Sequence, residues 1–171
     1  RWARRAGVPL VAGARGSDIR VRDAISRRLT RPVVRGAQRL LVVSADLGRL
    51  AVRDYGADAA RVRVIPNGCD ARTFHLRERG PARAALGIDD AAELVLYVGR
   101  LVPEKGLREL IAATRSLSTQ RPRLSLVLVG DGPMRGEIEA ALAASPCAAV
   151  RLAGLQPPDS VAGWLAACNL L

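Results

Sequence analysis

The sequence predicts an α/β protein built on doubly wound parallel sheet, and three observations predict it. Leu94–Val98 is an unbroken apolar run of strand length and Leu124–Val129 is another, interrupted only by Ser125, the pattern of strands buried on both faces. Segments of helical periodicity separate such runs, so strand and helix alternate along the chain. Runs in the second half end at glycine-bearing turns, Gly99-Arg100, Gly130-Asp131-Gly132 and Gly154-Leu155-Gln156. Doubly wound sheets bind ligands outside the carboxyl ends of their strands, so these turns are the candidate ligand edge.

Taken in order, Val8–Val11 suits a buried strand and Arg15–Asp18 a turn. Residues 19–36 mix arginines with Ile25, Leu29, Val33 and Val34 as amphipathic helix, with Pro32 expected at a first turn or a kink. Leu40–Val43 is a strand, Ser44 stands as the N-cap of a helix, and Gly56 ends that helix. Val62–Ile65 alternates as a strand and meets the Pro66-Asn67-Gly68 turn. Residues 69–80, with Phe74 and His75, have little periodicity and read as a connector; Pro81 opens a short helix that Gly87 closes. Beyond the strand at Leu94, a helix is expected from about Glu104, with Leu107, Leu110, Ile111, Thr114 and Leu117 on one face. Strand Leu124–Val129, helix Met134–Ala144, strand Val150–Leu152, helix Asp159–Ala167 and a strand start at Leu170 follow.

Composition excludes several classes. The 171 residues are 49% hydrophobic and 25% charged, a folded chain's balance, and no apolar stretch is long enough to cross a bilayer as a helix. Three scattered cysteines, Cys69, Cys147 and Cys168, form neither a disulfide framework nor a zinc motif. A single histidine, His75, excludes a multi-histidine metal site. The chain opens at Arg1 as though inside a helix and closes on a strand start, so it reads as an internal fragment with no signal peptide, expected in the cytoplasm. Residues 1–80 carry 18 basic against 7 acidic groups, whereas the remainder is balanced. That excess points to an anionic partner, an anionic membrane surface among them, or records a coding bias toward arginine. A basic nucleic-acid or anion-binding module without catalysis is the alternative reading. The five aromatic residues are not interleaved with the arginines as base stacking requires, so no nucleic acid is expected.

Gly99–Gly106 is the stretch richest in chemistry. A buried strand delivers Arg100 to the ligand edge, and five residues later Lys105, the only lysine, falls near a helix start where free amides and the dipole favour anions. A guanidinium fork with a compact ammonium suits a diphosphate; two solvated surface cations are the plainer alternative. The order required of a phosphate-binding P-loop is missing.

Val64–Asp70 with Phe74, Val98–Gly106 and Leu128–Pro133, together with Leu40–Ser44 and Val150–Gly154, strongly resemble glycosyltransferase family 4, also called glycosyl transferases group 1. The resemblance implies a GT-B architecture: residues 1–68 from the acceptor-side Rossmann-like domain, 69–80 the interdomain linker, and 81–171 the start of the donor domain. It implies a retaining hexosyltransferase that takes a nucleotide-diphospho-sugar donor and a hydroxyl acceptor on a sugar or lipid. Arg100 and Lys105 are then the donor diphosphate clamp, and Gly130, Gly154, Leu155 and Gln156 the nucleotide contacts. No metal and no cofactor are expected, because the two cations stabilise the leaving diphosphate. A His-Gly-x-Asp segment of many members stands here as Arg15-Gly16-Ser17-Asp18, which leaves Arg15 and Asp18 as acceptor-side candidates without the histidine's role; Asp18 is equally a turn residue capping a helix. The family's Glu-x₇-Glu region is expected beyond this stretch, so the fragment alone is expected to be inactive and no catalytic residue is nominated.

Overall fold

A computed structural model describes residues 6–20 and 23–171. The helical character expected at Arg1, and residues 21–22 of the basic segment, lie outside the described residues. The chain divides into two compact units, residues 1–69 and 70–171.

The first unit holds β1 (Val11–Ala14), α1 (Ala24–Gly36), β2 (Arg39–Val42), α2 (Ala45–Tyr55), a 3-10 turn at Ala59–Arg61 and β3 (Val62–Val64). The strands pair in parallel in the order β1-β2-β3. Ser44 caps α2 as expected: its Oγ accepts from Leu47 N at 3.2 Å, and Gly56 closes the helix in the left-handed region. Leu40, Val42, Leu47, Ala51 and Tyr55 form the core between sheet and helix. Two expectations shift. The first strand is Val11–Ala14 rather than Val8–Val11, since Pro9 supplies no ladder donor. Helix α1 runs through Pro32 to Gly36; Pro32 is exposed, so water can serve the carbonyl its ring displaces.

The second unit holds α3 (Arg79–Leu86), β4 (Glu93–Val98), a 3-10 turn at Pro103–Lys105, α4 (Leu107–Ser118), β5 (Leu124–Val129), α5 (Arg135–Ala144), β6 (Val150–Gly154) and α6 (Pro158–Ala167). The sheet is parallel in the order β4-β5-β6, and Leu170 adds a parallel bridge to Val95. β4 therefore has β5 on one flank and the Leu170 segment on the other, and strand order reverses at β4. Alternation along the strands serves two cores. Val95, Tyr97, Leu126 and Leu128 pack with residues of α4 and α5, whereas Leu94, Leu96, Val127 and Val129 pack against Trp164 and Ala167 of α6. The unit is doubly wound, as the apolar runs predict.

Three differences are local. Helix α3 begins at Arg79, inside the segment expected as connector, and Pro81 is its third residue. Helix α4 begins at Leu107, not Glu104, because Gly106 takes a left-handed conformation (φ 67°) that ends the 3-10 turn before the helix starts. Leu117, expected on the buried face of α4, is 47% exposed, whereas Leu107 and Thr114 are buried.

Arg83 on α3 is 2% exposed and pairs with no carboxylate among the described residues. Its guanidinium donates to the carbonyls of Ala167, Asp89, Asp90 and Ala92 and to Asn169 Oδ1 (2.6 Å). Asn169 Oδ1 also accepts from Leu94 N, so one network joins α3, the start of β4 and the residues after α6.

Candidate functional site

Three turns stand at the carboxyl edge of the second sheet and are locked together by backbone. Gly99 N donates to Val129 O (2.9 Å) and Gly130 N to Gly154 O (2.8 Å). Leu101, fully buried, donates its N–H to Asp131 O (2.9 Å) and accepts from Met134 N (3.1 Å). The turns approach so closely that a Cβ on Gly132 would lie 2.5 Å from Leu101 O. The visible work of Gly130 and Gly132 is this close passage, and the Gly130 amide is engaged by Gly154.

On this base the loop 99–106 presents its cations. Arg100 and Lys105 are both exposed, and among the described residues neither side chain has an ion pair or hydrogen bond. Neighbouring arginines are engaged: Arg108 with Glu137, Arg121 with Glu93, Arg135 with Glu139. Lys105 lies in the 3-10 turn just before α4 rather than on the helix itself, yet still at the amino end of α4, where first-turn amides lack intrahelical acceptors. The loop also stands where strand order reverses, the position at which open α/β sheets bind ligands. At the third turn Leu155 is 78% exposed, while Gln156 Nε2 donates back to Ala153 O (2.7 Å).

In the first unit, Asp18 accepts from Arg15 N (2.9 Å) and Gly16 N (2.7 Å), which holds the turn after β1. The helix cap is Asp23, not Asp18: its carboxylate accepts from Ser26 N, and that bond lowers its pKa. The Arg15 side chain is exposed. A groove of about 660 Å³ along α1 is lined by Arg27, Arg28, Arg31, Arg35, Asp54 and Tyr55. His75 remains local, with Nδ1 3.0 Å from Arg72 O.

Sequence reasoning missed Tyr97, whose phenol donates to Arg100 O at 2.7 Å, and Leu101, which ties two of the turns together. A hydroxyl at the end of an otherwise apolar strand was the available signal for Tyr97.

Two parallel α/β units, the second doubly wound and carrying a cationic loop where its strand order reverses, place the chain in the class of open-sheet α/β proteins. Residues 78–171 match the model of the glycosyl transferases group 1 and residues 1–68 that of a glycosyl transferase 4-like domain, so the chain belongs to the group 1 glycosyltransferase family. A D-inositol 3-phosphate glycosyltransferase of Rhodococcus opacus is 35% identical over 147 residues, 81% of this chain and 33% of that protein. The protein of the same description from Kineococcus radiotolerans is 42% identical over 107 residues, 59% of this chain and 24% of that one. The chain thus spans about a third or less of these relatives. The crystal structure of Anabaena Alr3699/HepE in complex with UDP superposes with a TM-score of 0.77 at 23% identity, over 98% of this chain and 47% of that one. The fold class is GT-B.

Proposed function

We propose that the protein containing this chain transfers a hexose from a nucleotide-diphospho-sugar to an acceptor hydroxyl, with retention at the anomeric carbon. The observation that carries the proposal is the pair of cations, Arg100 and Lys105, unengaged among the described residues and set on a loop tied by backbone hydrogen bonds where the strand order reverses. In the reaction the sugar–phosphate bond breaks and negative charge grows on the departing diphosphate. A fixed guanidinium and ammonium stabilise that charge without a metal ion. The turns at Gly130 and at Gly154, Leu155 and Gln156 are proposed to border the nucleotide, with exposed Leu155 offering an apolar surface to a base. Structural neighbours crystallised with UDP and UDP-glucose support this class of donor.

On the acceptor side, Arg15 and Asp18 are proposed to face the acceptor, with Asp18 shaping the turn and Arg15 supplying charge. The relatives named for D-inositol 3-phosphate support an acceptor that bears a phosphate. The test is isothermal titration of the chain with UDP, GDP and a short oligonucleotide. A nucleoside diphosphate binding more tightly than the oligonucleotide supports the reading; the reverse order favours the anion-binding alternative.

The first unit is further proposed to act at the cytoplasmic face of an anionic membrane. Helix α1 carries Arg27, Arg28, Arg31 and Arg35 and no acidic residue, and Ile25 and Leu29 on it are exposed. Each basic group near an anionic leaflet contributes about 1 kcal/mol. No helix among the described residues is long and apolar enough to cross a membrane. Co-sedimentation with vesicles decides the point: equal binding to neutral and anionic lipid at low salt rejects it.

A further inference from the structure

We propose that Tyr97 is the positioning residue of the donor loop: its phenol holds the Arg100 carbonyl so that the guanidinium is presented before any diphosphate arrives. This inference rests on the donor-site reading above and gives it a mechanism.

The geometry is specific. Tyr97 lies on the β4 face that packs toward α4 and α5, among Leu101, Leu107 and Leu128. Its hydroxyl passes under the turn and donates to Arg100 O at 2.7 Å. A Cβ on Gly99 would stand 3.0 Å from that hydroxyl, so the phenol crosses where the chain has no side chain. The next residue, Leu101, is fixed at both its N–H and its carbonyl by the neighbouring turn. Arg100 therefore stands between two anchors, with its guanidinium in no hydrogen bond or ion pair among the described residues.

Satisfying a lone carbonyl does not account for the bond, because Arg100 O also accepts from Val102 N at 3.0 Å. Phenylalanine would fill the same apolar space, so the hydroxyl adds only the tether. A phenol is protonated, and so a donor, through the neutral range, and burial pushes the Tyr97 pKa further up from its usual value. A tethered backbone lowers the ordering cost of engaging an anion, the general benefit of preorganisation.

The test compares Tyr97→Phe with Arg100→Ala in the 171-residue chain. Hydrogen exchange, followed by NMR without ligand, should quicken in Tyr97→Phe by about 3- to 10-fold at amides 100–106, the worth of one hydrogen bond, and stay unchanged in α6. UDP affinity should fall by a similar factor, while affinity for uridine, which has no phosphate, stays unchanged. A structural defect alone would move exchange throughout the unit or weaken both ligands equally, and either result overturns the proposal. So does Tyr97→Phe with wild-type exchange in the loop. If Arg100→Ala weakens UDP binding tenfold or more and Tyr97→Phe leaves it within twofold, the tether is wrong and the donor-site reading stands. If neither variant changes UDP binding, the donor-site reading falls, and the tether's functional role with it.

Discussion

Gly130 passes so close to Gly99 that a Cβ on Gly130 would lie 1.9 Å from the Gly99 carbonyl oxygen. The two strands that carry the candidate site thus meet through bare backbone at their carboxyl ends. No side chain can yield there, because the clashing atom is itself a carbonyl.

Gly130→Ala is expected to destabilise the second unit by about 3 kcal/mol or more, since the backbone must move and its φ of 139° disfavours any side chain. Gly136→Ala, inside α5 with nothing near its Cβ position, should instead stabilise by about 0.5–1 kcal/mol. Urea denaturation of both variants checks the contrast; equal effects would mean that the close approach is not rigid.

In the complete protein, Arg100→Ala and Lys105→Ala should each lower kcat/KM by roughly 30-fold to several thousand-fold. The basis is the cost of about 2–5 kcal/mol for removing one partner of a desolvated charge pair. Lys105→Arg should rescue incompletely, because a planar fork does not replace a point charge. His75→Ala should alter turnover by less than about twofold, since the ring is exposed and its hydrogen-bond partner is Arg72 O in its own turn. Steady-state kinetics with a nucleotide-sugar donor reads all four. Near wild-type values for both alanine variants would move the donor site elsewhere.

Arg83→Leu should cost at least about 3 kcal/mol. The substitution removes the guanidinium's bonds to the carbonyls of Asp89, Asp90, Ala92 and Ala167 and to Asn169 Oδ1, of which Asp89 O keeps the Ala92 amide as donor. Thermal unfolding should show the loss at every pH from 5 to 9, because the oxygens that accept from this guanidinium are backbone carbonyls and a side-chain amide. A variant as stable as wild type would show that water replaces the guanidinium.

Acid should weaken the fold. Asp23, Asp54, Asp70 and Glu137 all have lowered pKa values, from hydrogen bonds to Ser26, Arg53, Arg72 and Arg108 respectively. For carboxyls lowered on folding, the stabilisation is present above the unfolded values, near 4, and is lost as pH falls through the folded values. Urea midpoints measured from pH 7 to pH 3 should therefore drop below about pH 4. In Glu137→Gln part of that drop should vanish; an unchanged profile would show that the Arg108 pair contributes nothing in solution.

Much of the second unit was legible because its strands are buried on both faces and bounded by glycines. β5 occupies Leu124–Val129 as its apolar run indicates. Starts and stops set by one residue's conformation were less legible: Gly106 delays α4, and nothing local reveals that it will turn left-handed there rather than continue the helix. Arg100 and Lys105 could be picked out because charge at a strand edge breaks a local pattern. Tyr97 could not, since its partner is a carbonyl whose direction depends on the path of the loop. Gly130 and Gly132 were visible as turn residues, but the backbone they admit comes from Gly99 and Leu101, some thirty residues earlier, and no periodicity encodes that meeting. Pro32 misled for the opposite reason: an exposed helix tolerates it where a buried one does not.

The Arg83 network has a mechanical consequence. One guanidinium clasps both the segment entering β4 and the residues following α6, with bonds in several directions. Tension drawing α3 away from Asn169 would load those bonds together rather than peel them in sequence. Under a pulling force the second unit should therefore resist as a buckle does, holding until Arg83 is withdrawn and then giving way at once.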